Sequence, residues 1–157
     1  MTHLLKLHRL STRFDELISL WGGTLLSLFL RLYVGWQFFH AGLIKLQNWP
    51  GTLELFHSEY HVPLLPPDLA AWMGAGGELF FPCLLLLGIF TRPAALGLFA
   101  VNAMAVISYP QLFEFECPAA INDHFYWGVL LIALLVFGPG RASLDALIAK
   151  INTQQQK

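Results

Sequence analysis

Hydrophobic positions in this chain gather into long blocks rather than alternating, and short polar or proline-containing breaks separate the blocks. A helix that crosses about 30 Å of hydrocarbon needs about 20 mainly apolar residues. Four blocks reach or approach that length. Residues 23–43 are apolar except for Arg31, Gln37 and His40, and residues 69–90 carry Glu78 as their only charge. Residues 93–109 follow the break at Thr91, Arg92 and Pro93 and hold Asn102 near their middle. The last block ends at Gly138, Pro139 and Gly140. Its uninterrupted core from Phe125 to Phe137 is short, so the span starts near Ala119 and takes Asn122, Asp123 and His124 into its first turns. The pattern predicts an all-α membrane protein: a four-transmembrane-helix bundle with spans at about 23–43, 69–90, 93–109 and 119–138.

The flanks add short interfacial helices. In residues 1–21, Leu7, Leu10, Phe14, Leu17, Ile18 and Trp21 recur at helical spacing opposite Lys6, Arg9, Arg13 and Asp15, the pattern of a helix lying in the membrane interface. A cleavable signal peptide fits less well, because the basic residues extend too far and no small-residue cleavage site precedes the first span. Between the first two spans, Trp49, Leu53, Phe56 and Tyr60 share a face ahead of Pro63, Pro66 and Pro67, which reads as a short helix resting on the outer surface. Residues 141–157 form a cytoplasmic segment, and its end, Gln154 to Lys157, is expected to be disordered.

Composition agrees. The 157 residues are 56% hydrophobic and only 12% charged, about half of what a soluble domain carries. A net charge of -1 leaves no basic face for phosphates, so nucleic acid is excluded as a partner. The charges that remain are sorted. Lys6, Arg9, Arg13, Arg92, Arg141 and Lys150 fall on one side of the four spans, whereas Glu54, Glu59, Asp68, Glu114, Glu116 and Asp123 fall on the other together with the single basic residue Lys45. By the positive-inside rule both termini are cytoplasmic, as an even number of spans requires.

An ionisable side chain inside a span costs at least about 2.5 kcal/mol, so each is a candidate functional residue. Antiparallel packing of the first two spans sets Arg31 and Glu78 about 6 Å apart in depth, within reach of an arginine side chain. They form either a structural ion pair or the heart of an intramembrane polar pocket with Gln37, His40 and Asn102. Pro82 removes the amide that would bond the Glu78 carbonyl, Gly74, Gly76 and Gly77 allow close approach, and Trp72, Phe80 and Phe81 supply flat walls. At the outer end Lys45, Asp123 and His124 suggest a polar vestibule, with interfacial capping as the plainer alternative. No metal site is expected: His40, His124 and Asp123 lack ligand spacing, and the pair His57 and His61 lacks a third ligand. Cys83 and Cys117 fall at different depths and do not suit a disulfide. The chain shows no hydrolase-type nucleophile and base, no phosphate loop and no matched haem histidines.

These residues resemble the DoxX family of small four-helix membrane proteins. The resemblance rests on Arg31, His40, Gly42 and Lys45 in the first span and Glu78 in a glycine-rich second span. It continues in LLLLGIFTRPAALGLF from Leu84 to Phe99 and in GPGRASLDALIA from Gly138 to Ala149. It runs from Leu28 to Ile148, and the motif positions carried over are Arg31, Lys45, Glu78, Arg92, Arg141 and Asp145. Asp123 with His124 stands where the family often has an acidic residue early in the fourth span. The resemblance implies a four-helix bundle in the bacterial cytoplasmic membrane. The family takes its name from a subunit of a thiosulfate:quinone oxidoreductase. Other members go with membrane oxidoreductase complexes, sulfur or redox-stress handling, or enzymes that modify small metal-binding peptides. The expected function is that of an accessory or anchor subunit of a membrane redox system, with a pocket for a quinone and no other cofactor visible in the sequence. Its expected partners are the bilayer, a soluble or membrane redox enzyme and a second copy of itself. The alternative is a small-molecule or metal-ion transporter, which would need oligomerisation to enclose a path. Physically, Gly138 to Gly140 ends the last span and Ser143 caps a further helix with Asp145 in its first turn, so the C-terminal signature reads as topological rather than catalytic.

Overall fold

The computed structural model describes residues 8, 11–12, 14–16, 18–114 and 118–156. Lys6, Leu7, Arg9, Leu10, Arg13, Leu17, Glu116, Cys117 and Lys157 lie outside the described residues, and with them much of the expected N-terminal interfacial face. Among the described residues every element is helical: α1 (Gly23–Gln47), α2 (Trp49–Ser58), α3 (Pro67–Leu87), α4 (Thr91–Ser108), α5 (Ala119–Phe137) and α6 (Leu144–Gln155). A π-helical turn at Ile18–Gly22 precedes α1, and a 3-10 turn at Pro110–Phe113 follows α4.

Local chemistry sets the boundaries. Asn48 ends α1 and starts α2, its Oδ1 accepting from the Gly51 amide at 3.2 Å. Pro67 opens α3 where a missing N–H costs nothing. Gly88 closes α3 in the left-handed conformation, φ +68°, its amide bonding back to the carbonyls of Leu84 and Leu85. The helix runs on through Pro82. Ser143 caps α6 as expected, its Oγ accepting from the Ala146 amide at 3.1 Å. The end of the chain differs from expectation: α6 continues to Gln155, with Thr153 Oγ1 donating to the Ala149 carbonyl at 2.8 Å, because Ala, Leu, Ile, Lys and Gln all favour helix once the cap has nucleated it.

α1, α3, α4 and α5 close into a ring in which each packs against its two neighbours and no contact of note crosses the diagonal. All neighbours are antiparallel. Gly42 faces Leu79 while Gly35 faces Leu86, Gly77 meets Val101 while Gly97 meets Phe81, and Thr24 reaches Arg141 while Phe38 packs edge-on against Trp127. Glycine at these points lets the backbones approach without a side chain between them. Leu30, Val34, Leu85, Ala94, Ala95, Leu98, Leu131 and Leu134 fill one half of the bundle. In the other half, Phe56 of α2 packs on Ala70 and Ala71 and fixes α2 across the end of α3.

The pattern of burial is inverted relative to a water-soluble protein. Arg31 is 1% exposed, whereas Phe29 is 61% and Phe137 80% exposed. Large apolar side chains cover the outside of all four ring helices, which is stable only where the solvent is itself apolar. α3, α4 and α5 are long and apolar enough to cross a membrane. α1 has the length, 25 residues or about 37 Å, but its inward face carries Thr24, Ser27, Arg31 and Gln37, which dilute its hydropathy below that of the other three.

Candidate functional site

Lys45 stands in the last full turn of α1 and Glu78 in the middle of α3, and the antiparallel register sets them side by side. Lys45 Nζ donates to both carboxylate oxygens of Glu78, at 2.7 and 2.8 Å. Glu78 is buried and Lys45 half-buried. Such a pair persists only because each charge offsets the cost of desolvating the other. Gly42, one turn before Lys45, brings α1 against the Glu78 backbone.

Below and beside this pair lies a cavity of about 720 Å3, within the range of small-molecule sites. Gln37, Phe38 and Lys45 line it from α1, Glu78 and Phe81 from α3, and His124 and Trp127 from α5, while α4 contributes mainly the small residues Gly97, Ala100 and Ala105. Phe56 of α2 and Tyr60 in the following loop roof it. Tyr60 stacks edge-on with Phe56 and Tyr109, and the His61 amide ties this loop to the Ser108 carbonyl at 2.7 Å. Burial, and after it the nearby Tyr109 hydroxyl and the charges of Glu78 and Glu59, push the Tyr60 hydroxyl above its ordinary pKa, so it stays a protonated donor.

Asn102 bonds from α4 to α5. Its Nδ2 donates to the His124 carbonyl at 2.9 Å, and its Oδ1 lies 2.8 Å from His124 Nδ1. The His124 ring stands edge-on to Trp127, centroids 5.1 Å apart.

The expected partnership of Arg31 with Glu78 is not formed. Arg31 Nη1 reaches the Leu85 carbonyl at 3.5 Å, seven residues or about 10 Å along α3 from Glu78, and Nη2 donates to the Ala142 carbonyl. Arg31 is thus held at the opposite end of the bundle. His40 faces outward and stacks on Trp36, and Asp123 is exposed on the surface of α5. Of the expected pocket residues, Glu78 and Gln37 line the cavity and Asn102 stands behind its wall. Of the expected vestibule, Lys45 and His124 join the same cavity. Of the pair His57 and His61, His57 Nε2 lies 2.9 Å from Asp68 Oδ1.

The Arg31 end forms a second polar cluster. Asp145 of α6 accepts from the amides of Phe90 and Thr91, both at 2.9 Å, and so caps α4, which has no capping side chain of its own. Arg92 reaches across to the last carbonyls of α5, Nε to Leu135 at 3.0 Å and Nη2 to Val136 at 3.3 Å. Ser27 Oγ donates to the Gly138 carbonyl at 2.8 Å. These bonds tie the ends of α3, α4 and α5 to one another and to the turn before α6, and nothing in the cluster lines the cavity.

The DoxX family model matches residues 26–110 of this chain, which covers α1 to α4 and the start of the turn after them. The chain belongs to the DoxX family. A Haemophilus influenzae protein, described as an uncharacterized protein, is 33% identical over 129 residues, covering 79% of this DoxX chain and 83% of the relative. No solved structure matches. Within the matched region of this DoxX protein lie Arg31, Lys45, Glu78 and Arg92, which divide between the cavity and the helix-end cluster. Arg141 and Asp145, and the α5 side of the cavity with His124, lie beyond it.

Proposed function

We propose that this DoxX protein is a four-span subunit of the bacterial cytoplasmic membrane, with both termini cytoplasmic, that serves a membrane redox enzyme as accessory or anchor and binds a quinone in the cavity beside Lys45 and Glu78. The observation that carries this reading is the cavity itself: flat aromatic walls from Phe38, Phe81 and Trp127 around one buried ion pair. Lys45 spends two of its three N–H groups on Glu78, leaving one to meet a ring oxygen, and the carboxylate beside it can accept a proton from the reduced ligand. Electrons would pass to or from a partner enzyme.

A transporter needs a path across the bundle. Between the cavity and the Arg31 cluster lies a layer of fully buried apolar side chains, Val34, Leu85, Ala94, Ala95, Leu98 and Leu131, packed without a polar group among them. That layer favours a closed-ended binding site over a conduit. The test is to purify the protein in mild detergent, extract it with organic solvent and quantify quinone per protein chain against an unrelated four-span protein from the same membranes. Stoichiometric quinone that falls about tenfold in a folded Glu78→Gln variant supports the reading. Quinone at the level of the control protein rejects it.

A further inference from the structure

The polar groups around the cavity are not symmetric in what they offer a ligand, and the asymmetry comes from Asn102. Its amide nitrogen donates to the backbone carbonyl of His124, which can only accept. The orientation of the Asn102 amide is therefore fixed, with Oδ1 turned to the His124 ring. Oδ1 can only accept in turn, so Nδ1 of His124 must carry the proton in that 2.8 Å bond. In the neutral ring this leaves Nε2 as a bare lone pair. His124 lines the cavity while Asn102 does not, so the ring faces its bonded edge to the wall and its other edge to the cavity. Trp127, edge-on at 5.1 Å, holds the ring plane. Among the described residues, no protein donor bonds Nε2.

We infer that His124 is a specificity-determining acceptor, which makes the cavity favour a ligand that presents a ring hydroxyl, a phenol or hydroquinone, over the same ring bearing a carbonyl or an ether. The inference rests on the proposed quinone site and goes further, naming the redox state that is held. A hydroxyl donates to Nε2 with its ring between the aromatic walls. A carbonyl or ether oxygen at the same place sets two lone pairs against each other and leaves Nε2 desolvated without a partner. Asn102 is a positioning residue, acting only through the His124 tautomer.

The state of the ring can be read without any ligand. Protein labelled with 15N-histidine in nanodiscs, with His124 assigned by its loss in His124→Gln, should show a protonated Nδ1 and an unprotonated Nε2, and Asn102→Leu should release that preference. Tetramethylhydroquinone, kept anaerobic, its dimethyl ether and tetramethylbenzoquinone are then titrated into the same samples. The hydroquinone should bind wild type about tenfold more tightly than either of the other two and move the Nε2 resonance. In His124→Leu or Asn102→Leu that preference should vanish while benzoquinone affinity holds. The three-probe comparison on wild type needs no variant to fold. An Nε2-protonated ring, equal affinity for the three probes, or variants that weaken all three alike would each overturn the inference while leaving the quinone site standing. Failure of every probe to bind would overturn the quinone site itself.

Discussion

Glu78 is a buried carboxylate, and its stability depends on which cation meets it. Removing one member of a buried pair leaves the other charged and desolvated, at a cost of about 3 to 5 kcal/mol, whereas removing both is far milder. Lys45→Met should therefore lower the unfolding free energy in bicelles by that amount, and Lys45→Met with Glu78→Leu should recover most of it. Arg31→Gln and Glu78→Gln, by contrast, should add to within about 0.5 kcal/mol, because the two sites share no partner. Strong coupling between Arg31 and Glu78 in that cycle would contradict the register of α1 on α3. Charge and apolar context alone single out Arg31 and Glu78, because an ionisable group in a span is costly wherever it points, and they set Lys45 apart as an expected vestibule residue. Their pairing is not legible. Nearly twenty residues of loop and α2 separate α1 from α3, and that length leaves the relative depth of the two helices open by two turns. His40 shows the complementary limit: one position from a buried stripe, it faces outward, since a span surrounded by lipid shows no polar face to reveal its orientation.

Helix ends explain the second polar cluster better than chemistry does. α4 begins at Phe90 and Thr91 with no capping side chain of its own, and the cap is supplied from 54 residues away by Asp145 at the start of α6. Partial burial raises the Asp145 pKa, but the Thr91 and Phe90 amides and the charge of Arg31 outweigh it and hold the carboxyl below its ordinary value. A group whose folded pKa is depressed contributes stability above its unfolded pKa of about 3.9 and loses it as pH falls through the folded value. Thermal unfolding of the wild type in nanodiscs should thus weaken on acidification below about pH 4, while Asp145→Asn should be less stable by about 1 kcal/mol at pH 7 and flatter across the acid range. An unchanged acid profile in Asp145→Asn would remove Asp145 from the cap. The helices are legible because proline, glycine and asparagine stand near their ends, although the expected first span stops at 43 while α1 runs on to Gln47 and the expected second runs to 90 while α3 ends at Leu87. The turn from Gly138 to Ser143 also reads as a stop-and-cap motif. The long-range cap does not, since α6 carries its own local signal, Ser143 with Asp145 in the first turn, and nothing in it announces that Asp145 turns toward α4.

At the scale of the molecule, the two ends of the bundle differ in charge as well as in architecture. Arg92, Arg141 and Lys150 gather with the helix-end cluster, and Glu54, Glu59, Asp68 and Glu114 gather with α2 and the cavity roof. In the proposed orientation, which positive-inside sorting favours, the first end lies in the cytoplasm and the roof of the cavity opens toward the outer face. Whether α1 spans decides the rest, because α3, α4 and α5 alone would leave the segment before α1 on the outer side with α2. Three exposed positions separate the cases: Ser11 before α1, Ser58 at the end of α2 and Thr153 near the end of α6. With Cys83 and Cys117 changed to alanine, each is replaced by cysteine and intact cells are treated with a membrane-impermeant maleimide. Ser58→Cys should label in intact cells, and Ser11→Cys and Thr153→Cys only after permeabilisation. Labelling of Ser11→Cys together with Ser58→Cys in intact cells would mean three spans. In that case Arg31, Lys45 and the α1 wall of the cavity would have to sit on three spanning helices from outside the hydrocarbon. The exposed belt of Leu25, Leu26, Phe29, Leu32 and Trp36 along α1 argues against such a placement, since those side chains are stable only when lipid surrounds them.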